Sequence, residues 1–242
     1  MKVEREWMNI SDMMSGLMMI FLFIAISFMI EVEEDKNKAE ELAQEYKKSQ
    51  DSIKEIVVTY QASQQMLNQD LYSEFKDDLE RWGAEITKDN IFRFNSPEVL
   101  FRTGSSKISR EFRRILNDFF PRYIQLLSSK KYIQEIDEIR IEGHTTNGWK
   151  NGTSKNSIYL KNMRLSQNRA NNVLRYCYLI KKGLTKTDKE WLKEKLRANG
   201  MAFSKLIYRE DGAVDYHKSK RVEFKVVTKA QEKIYKIIEQ LK

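Results

Sequence analysis

The sequence is poor in the residues that punctuate or cross-link a fold. Its 242 residues hold one cysteine, Cys177, and two prolines, Pro97 and Pro121. A single thiol excludes an intramolecular disulfide framework, and two isolated prolines exclude a proline-rich linker. Charge is absent from Met13 to Ile30, a run of eighteen residues. That is long enough to cross a bilayer as a helix, and it excludes a simple cytosolic globule. No second run of the kind follows, which excludes a multi-span transporter. Glycine and proline are both missing from Glu31 to Asn68, so nothing there interrupts a helix.

What is present is unevenly spread. Seven of the ten methionines fall in the first thirty residues. Those thirty carry a net charge of −1, and residues 31–69 hold five lysines against nine acids. The formal +8 of the chain therefore leaves +13 for residues 70–242. A basic surplus confined to one region points to an anionic partner there. Nucleic acid and an acidic wall polymer are the two candidates, and no nucleic-acid module of a known kind occurs.

The apolar run reads as a retained single-pass anchor. A cleavable leader would need small residues at its end, whereas Glu31-Val32-Glu33-Glu34-Asp35 follows here. Trp7 sits where interfacial aromatics sit, and Lys2 and Arg5 make the N-terminus the cytoplasmic side, with the bulk of the chain external. Asp12 abuts the run. A carboxylate near hydrocarbon is costly and usually faces a bundle interior or an ion path, although an acid here also serves simply to mark the water boundary. Ser15 and Gly16 follow three and four residues later, on the same helix face, and small residues permit close helix packing.

From Ser11 to Phe23, an acid followed by a Met- and Phe-rich helix with a hydroxylated residue three positions on is similar to the N-terminal helix of the MotB family of ion-driven motor proteins. The resemblance implies that Asp12 is the ion-carrying carboxylate.

Downstream, Ala39, Leu42, Tyr46, Ser49, Ile53, Ile56, Tyr60, Ser63 and Leu67 keep a 3,4 spacing. That spacing predicts a helical stalk that pairs with a second copy, a homodimer. Beyond about Tyr72 the pattern alternates. Strands are expected at Ile91–Phe94, Val99–Phe101, Ile136–Ile141, Phe203–Tyr208 and Val222–Val227. Helices are expected from an N-cap at Ser109 to about Leu127, over Asn162–Lys181 with Lys181-Lys182-Gly183 as C-cap, and over Lys186–Ala198. Together they predict an α/β sandwich, helices packed on a mixed sheet. The organisation is then residues 1–7 cytoplasmic, 8–30 transmembrane, 31–82 stalk, 83–228 an α/β domain and 229–242 an amphipathic helix. That last helix either docks on the domain or pairs between protomers.

Four segments of the domain resemble the OmpA-like peptidoglycan-binding domain, in the right order. They are Val99–Ile108, Ile139–Thr146, the Asn-x-x-Leu-Ser-x-x-Arg-Ala motif at Asn162–Ala170, and Ser219–Phe224. The resemblance implies that Arg169 binds a carboxylate of the peptide stem, as a guanidinium does through paired hydrogen bonds. Asn162, Leu165, Thr145, Thr146 and Arg221 are implied beside it, with Leu165 and Ala170 turned inward. Thr146 stands where that family usually carries an Asp that receives the ligand's ammonium group, and Ser219-Lys220 replace a common Asn-Arg. The loop Asn147–Ser157 is longer than usual. His144 is expected to hydrogen-bond its loop, and Cys177 to be a buried thiol. With no second His or Cys at ligand spacing, no metal is expected, and no cofactor.

A membrane acid, a helical stalk and a wall-binding domain in one chain resemble a MotB-type motor subunit, most of all those of the Zorya anti-phage defence systems. The resemblance implies a non-enzymatic protein of the bacterial inner membrane with a periplasmic domain. Its implied partners are peptidoglycan and a multi-span membrane protein of the MotA or ZorA kind. A flagellar stator protein and a passive wall anchor are the alternatives, the latter leaving Asp12 incidental.

Overall fold

A computed structural model describes residues 2–148 and 154–229, with side chains from Met13 onward. The expected helix at 229–242 and the middle of the Asn147–Ser157 loop lie outside the described residues, as does the side chain of Asp12. The chain divides into two compact units at Glu55 and Ile56. One helix, α1 (Lys2–Trp82), supplies the described part of the first unit and opens the second.

In the first unit α1 runs without interruption, as its composition of strong helix formers requires. The side chains of Met13–Ile30 are exposed throughout, and no residue among them packs on another part of the unit that is described. Gly16 opens onto free space. Glu34 and Lys38 pair one turn apart at 2.8 Å on the polar stretch that follows. Leu42 and Tyr46 of the expected seam are exposed.

The second unit is a five-stranded sheet with helices on one face. The strands are β1 (Ala84–Ile86), β2 (Ile91–Phe94), β3 (Ile136–Gly143), β4 (Leu196–Gly200) and β5 (Val222–Thr228), and their spatial order is β1-β2-β5-β3-β4. All neighbours are antiparallel except β3 and β4. That parallel pair needs a crossover, which α4 (Lys155–Leu179) and α5 (Lys186–Lys195) provide. Side chains alternate across a strand, and the register uses this. Phe92 stands opposite Phe224, and Phe224 opposite Ile141, on the helix-covered face. Arg93 opposite Glu223, and Glu223 opposite Glu142, fall on the other face.

The core is aromatic. Phe119 of α3 (Arg110–Leu127) lies 4.4 Å from Phe92, 5.0 Å from Phe224 and 5.4 Å from Phe75, centroid to centroid. Phe75 comes from α1. Leu67, Leu71, Phe75 and Trp82 repeat at helical spacing and are all buried in this core. Leu67 is thus a core residue, and the seam on which it was expected to close a stalk pairing ends by docking on its own domain. Polar contacts fix that docking. Arg122 reaches Glu74 at 2.7 Å and Asp78 at 2.8 Å, and Tyr132 donates to Asp70 at 2.6 Å. Asn90, fully buried and held at a φ of 59°, donates to the Gln64 carbonyl at 3.0 Å.

The Ser109 cap of α3 and strands β2, β3 and β5 lie where periodicity puts them. Four expectations give way. Val99 and Leu100 belong to a short helix, α2 (Pro97–Leu100), opened by Pro97, whose fixed φ suits a first helical position. Residues Leu196–Ala198 leave the expected helix for β4. Its start at Lys186 is set by a reciprocal Thr185–Asp188 capping box. Phe203–Tyr208 is irregular apart from one bridge between Tyr208 and Val214. Helix α4 ends at Leu179, and Gly183 turns in the following loop at a φ of 84°, where a Cβ would meet Pro121 at 2.7 Å.

Candidate ligand-binding cleft

Helix α4 carries Asn162, Leu165 and Arg169 at positions i, i+3 and i+7, on one face. Two glycines let it lie close to the sheet end. A Cβ on Gly143, the last residue of β3, would come within 2.4 Å of the Ser166 carbonyl, and one on Gly200 within 2.5 Å of the Gln167 nitrogen. Close approach brings the loop after β3 beside that face. Thr145 is pinned there by its backbone N–H, which donates to Ala202 at 2.7 Å. The hydroxyl of Ser166 in turn accepts from the Ala202 N–H at 3.0 Å.

These residues line one cleft of about 600 Å³. Thr145 and Thr146 line it together with Asn162, Leu165 and Arg169 of α4. Phe101, Thr103 and Gly104 line it as well. Tyr216, His217 and Lys220 come from α6 (Tyr216–Ser219) and its end, and Glu98 from α2. Five of these residues are implied together by the OmpA-like resemblance, and those of α2 and α6 are not among them, because Val99–Phe101 reads as strand and the residues before Ser219 carry no periodic signal.

Arg169 is the chemically distinctive member. It is only 9% exposed, its Nε donates to the Ser105 carbonyl at 2.9 Å, and its guanidinium carbon lies 4.8 Å from the Phe101 ring centroid. Among the described residues it makes no ion pair. Burial without a compensating carboxylate pushes its pKa down to about 10. A desolvated cation on an aromatic shelf, open to a cleft, has the chemistry to take an anion as its counter-charge. Asn162 spends an amide N–H on the Ile158 carbonyl, 3.0 Å away in its own helix. The hydroxyl of Thr145 is buried without a partner among the described residues. Leu165 is half-buried in the cleft, while Ala170 is in the core.

Arg221 is placed elsewhere. Its Nε donates to Glu223 Oε1 at 2.6 Å and an Nη to the Lys205 carbonyl at 3.1 Å, so it is spent inside the domain. His144 also departs from expectation. Its backbone N–H donates to the Arg221 carbonyl, but its ring, fully buried, lies 3.3 Å from Glu223 Oε2 and 3.7 Å from Glu142 Oε2. These three side chains are close enough to share a cation, a constellation that chain spacing hides because the β3–β5 register creates it. The positive charge is already supplied by protein groups, since Glu223 Oε1 takes Arg93 at 2.7 Å as well as Arg221. Burial opposes the charge on Glu223, yet His144 and Arg221 hold its carboxyl far below the ordinary range. The imidazole likewise lowers that of Glu142. The network anchors the strand ends from which Thr145 and Thr146 depart. Cys177 is buried, and burial raises its thiol well above the usual value.

Residues 100–218 fit the model of the OmpA family. Among solved structures, the chain is similar to a putative MotB-like protein from Desulfovibrio vulgaris, at 20% identity and a TM-score of 0.46, covering 69% of this chain and 96% of that one. The periplasmic domain of Helicobacter pylori MotB is similar at 20% identity and a TM-score of 0.43, covering 65% and 97%. Zorya protein ZorB of Escherichia coli strain Crooks is 41% identical over 238 residues, 98% of this chain and 94% of that protein. At that identity and coverage, the chain belongs to the ZorB family of Zorya proteins.

Proposed function

We propose that this chain is the peptidoglycan-anchored subunit of an ion-driven membrane motor in Zorya anti-phage defence. The observation that carries the anchoring half is Arg169, a desolvated guanidinium in the cleft that makes no ion pair among the described residues. Peptidoglycan stems end in carboxylates, the group a guanidinium binds through paired charge-assisted hydrogen bonds. Thr145, Thr146, Asn162 and Leu165 shape the site around that contact, and Arg221 holds it up from behind.

The membrane half rests on the apolar run of α1, whose exposed side chains are satisfied by lipid and by other helices. In this reading the run spans the inner membrane once, with residues 1–7 cytoplasmic and the domain periplasmic. Asp12, on one helix face with Ser15 and Gly16, carries a proton or sodium ion along a path shared with a ZorA-like multi-span partner. Two copies of the chain pair along the part of the stalk that precedes the domain core. The role is mechanical, not enzymatic. Because the last turns of α1 are built into the core through Phe75 and Trp82, load on the helix passes directly into the wall-bound domain.

The test is phage protection by the complete defence system carrying Asp12→Asn or Asp12→Glu. Loss of protection with Asn, and partial retention with Glu, is expected. Full protection with Asn removes Asp12 from the mechanism and leaves a passive anchor.

A further inference from the structure

The cleft contains one feature that wall binding through Arg169 does not use. Of the described residues that line it, four carry ionisable nitrogen or carboxyl groups, Glu98, Arg169, His217 and Lys220, and Glu98 is the one acid. Residues 149–153 contain no Asp or Glu. Thr146, which also lines the cleft, offers a hydroxyl and no charge.

Glu98 is positioned by the element that the sequence disguised. Helix α2 begins at Pro97 and ends at Leu100, with Phe101 as its C-cap. Glu98 and Phe101 both line the cleft. Phe101 is the shelf on which the Arg169 guanidinium rests at 4.8 Å. One five-residue segment thus lends the cleft both that shelf and a carboxylate. The present partner of Glu98 is His217 Nε2, at 3.1 Å, and both side chains are more than half exposed. An exposed pair of this kind is worth little and exchanges readily.

We propose that Glu98 is a specificity-determining residue that receives the ammonium group of the ligand whose carboxylate binds Arg169, displacing His217. The cleft then selects an amino-acid end carrying both charges close together, and discriminates against the same carboxylate with its amine blocked. This rests on the wall-binding reading above, and adds to it which charge is read and by which residue. A carboxylate that takes an ammonium in a partly desolvated cleft adds a charge-assisted hydrogen bond, enough for about a tenfold preference.

The experiment titrates the purified full-length chain in detergent by calorimetry. The probes are a stem tripeptide acetylated at its N-terminus and ending in meso-diaminopimelate, and the same peptide with the diaminopimelate amine acetylated as well. The expected result is that the wild-type chain favours the free amine by about tenfold, and that Glu98→Gln binds both peptides with the weaker, acetylated affinity while melting at the wild-type temperature. Arg169→Ala loses both peptides. If Glu98→Gln keeps the preference while Arg169→Ala abolishes binding, the assignment of Glu98 is wrong and the anchoring reading survives. If neither peptide binds the wild-type chain, or Arg169→Ala binds as well as it does, the anchoring reading itself falls and the assignment with it.

Discussion

Phe23 and Phe75 lie on the same helix, yet the first is 67% exposed and the second fully buried. The sequence around Phe23 is apolar on every side, so no single face has a core to meet and the whole surface must find lipid or other helices. Around Phe75 the apolar residues recur on one stripe between Asp, Glu and Lys, and that stripe closes the domain core. One continuous element therefore belongs to two solvents, and the pattern of apolar residues, more than their number, decides which.

The sharpest way to break this comparison is to make the same change at both places. Phe75→Ala is expected to destabilise the domain by about 3–5 kcal/mol, the usual cost of emptying an aromatic site in a core, read by denaturant unfolding of the full chain in detergent. Phe23→Ala should leave that transition where it is. Equal effects would mean that the end of α1 is not part of the domain.

The polar face of the sheet gives the next largest effect. Glu223→Gln leaves Arg93 and Arg221 short of a buried carboxylate, which costs about 3 kcal/mol at neutral pH. Its sign with pH is fixed. Glu142 and Glu223 are held below the ordinary glutamate range, so the unfolded chain takes up protons first as the pH falls. Their contribution is complete above that range and is lost on acidification through it. Thermal melts between about pH 6 and 3 should show the domain weakening toward acid, with a shallower slope in Glu223→Gln than in wild type.

Gly143→Ala forces a methyl against the backbone of α4 and should cost about 1–3 kcal/mol as overpacking, while also loosening the cleft. Lys38→Ala on the exposed stalk removes a surface pair and should change stability by less than about 0.5 kcal/mol. A large effect there would show that the stalk pairs through that face.

Much of this was legible in the chain. The Ser109 cap and the alternating Ile136–Ile141 run announce α3 and β3, because each is set by local chemistry, and the Asn162–Ala170 motif marks its stretch of α4 through its resemblance to the OmpA-like domain. What was hidden depends on contacts far apart in sequence. Leu196–Gly200 follows a Lys- and Glu-rich helix without a break, and only pairing with β3 makes it a strand. Val99–Phe101 is apolar enough for a strand, but Pro97 and the Phe101–Ile108 bridge make it a capped turn of helix. Arg221 spends its side chain on Glu223, two residues on, and the β3–β5 register brings Glu142 and His144 to that pair. The spacing of His144 along the chain gave no hint of that cluster.

The most direct test of the account is co-sedimentation of the full-length chain with purified sacculi, comparing wild type, Arg169→Ala and Arg221→Lys. The account predicts that wild type pellets with the wall and that Arg169→Ala stays in solution while still folded. Arg221→Lys, whose side chain faces Glu223 and not the cleft, should pellet whenever it folds. Undiminished pelleting of a folded Arg169→Ala chain would contradict the claim that this cleft is where the protein holds the wall.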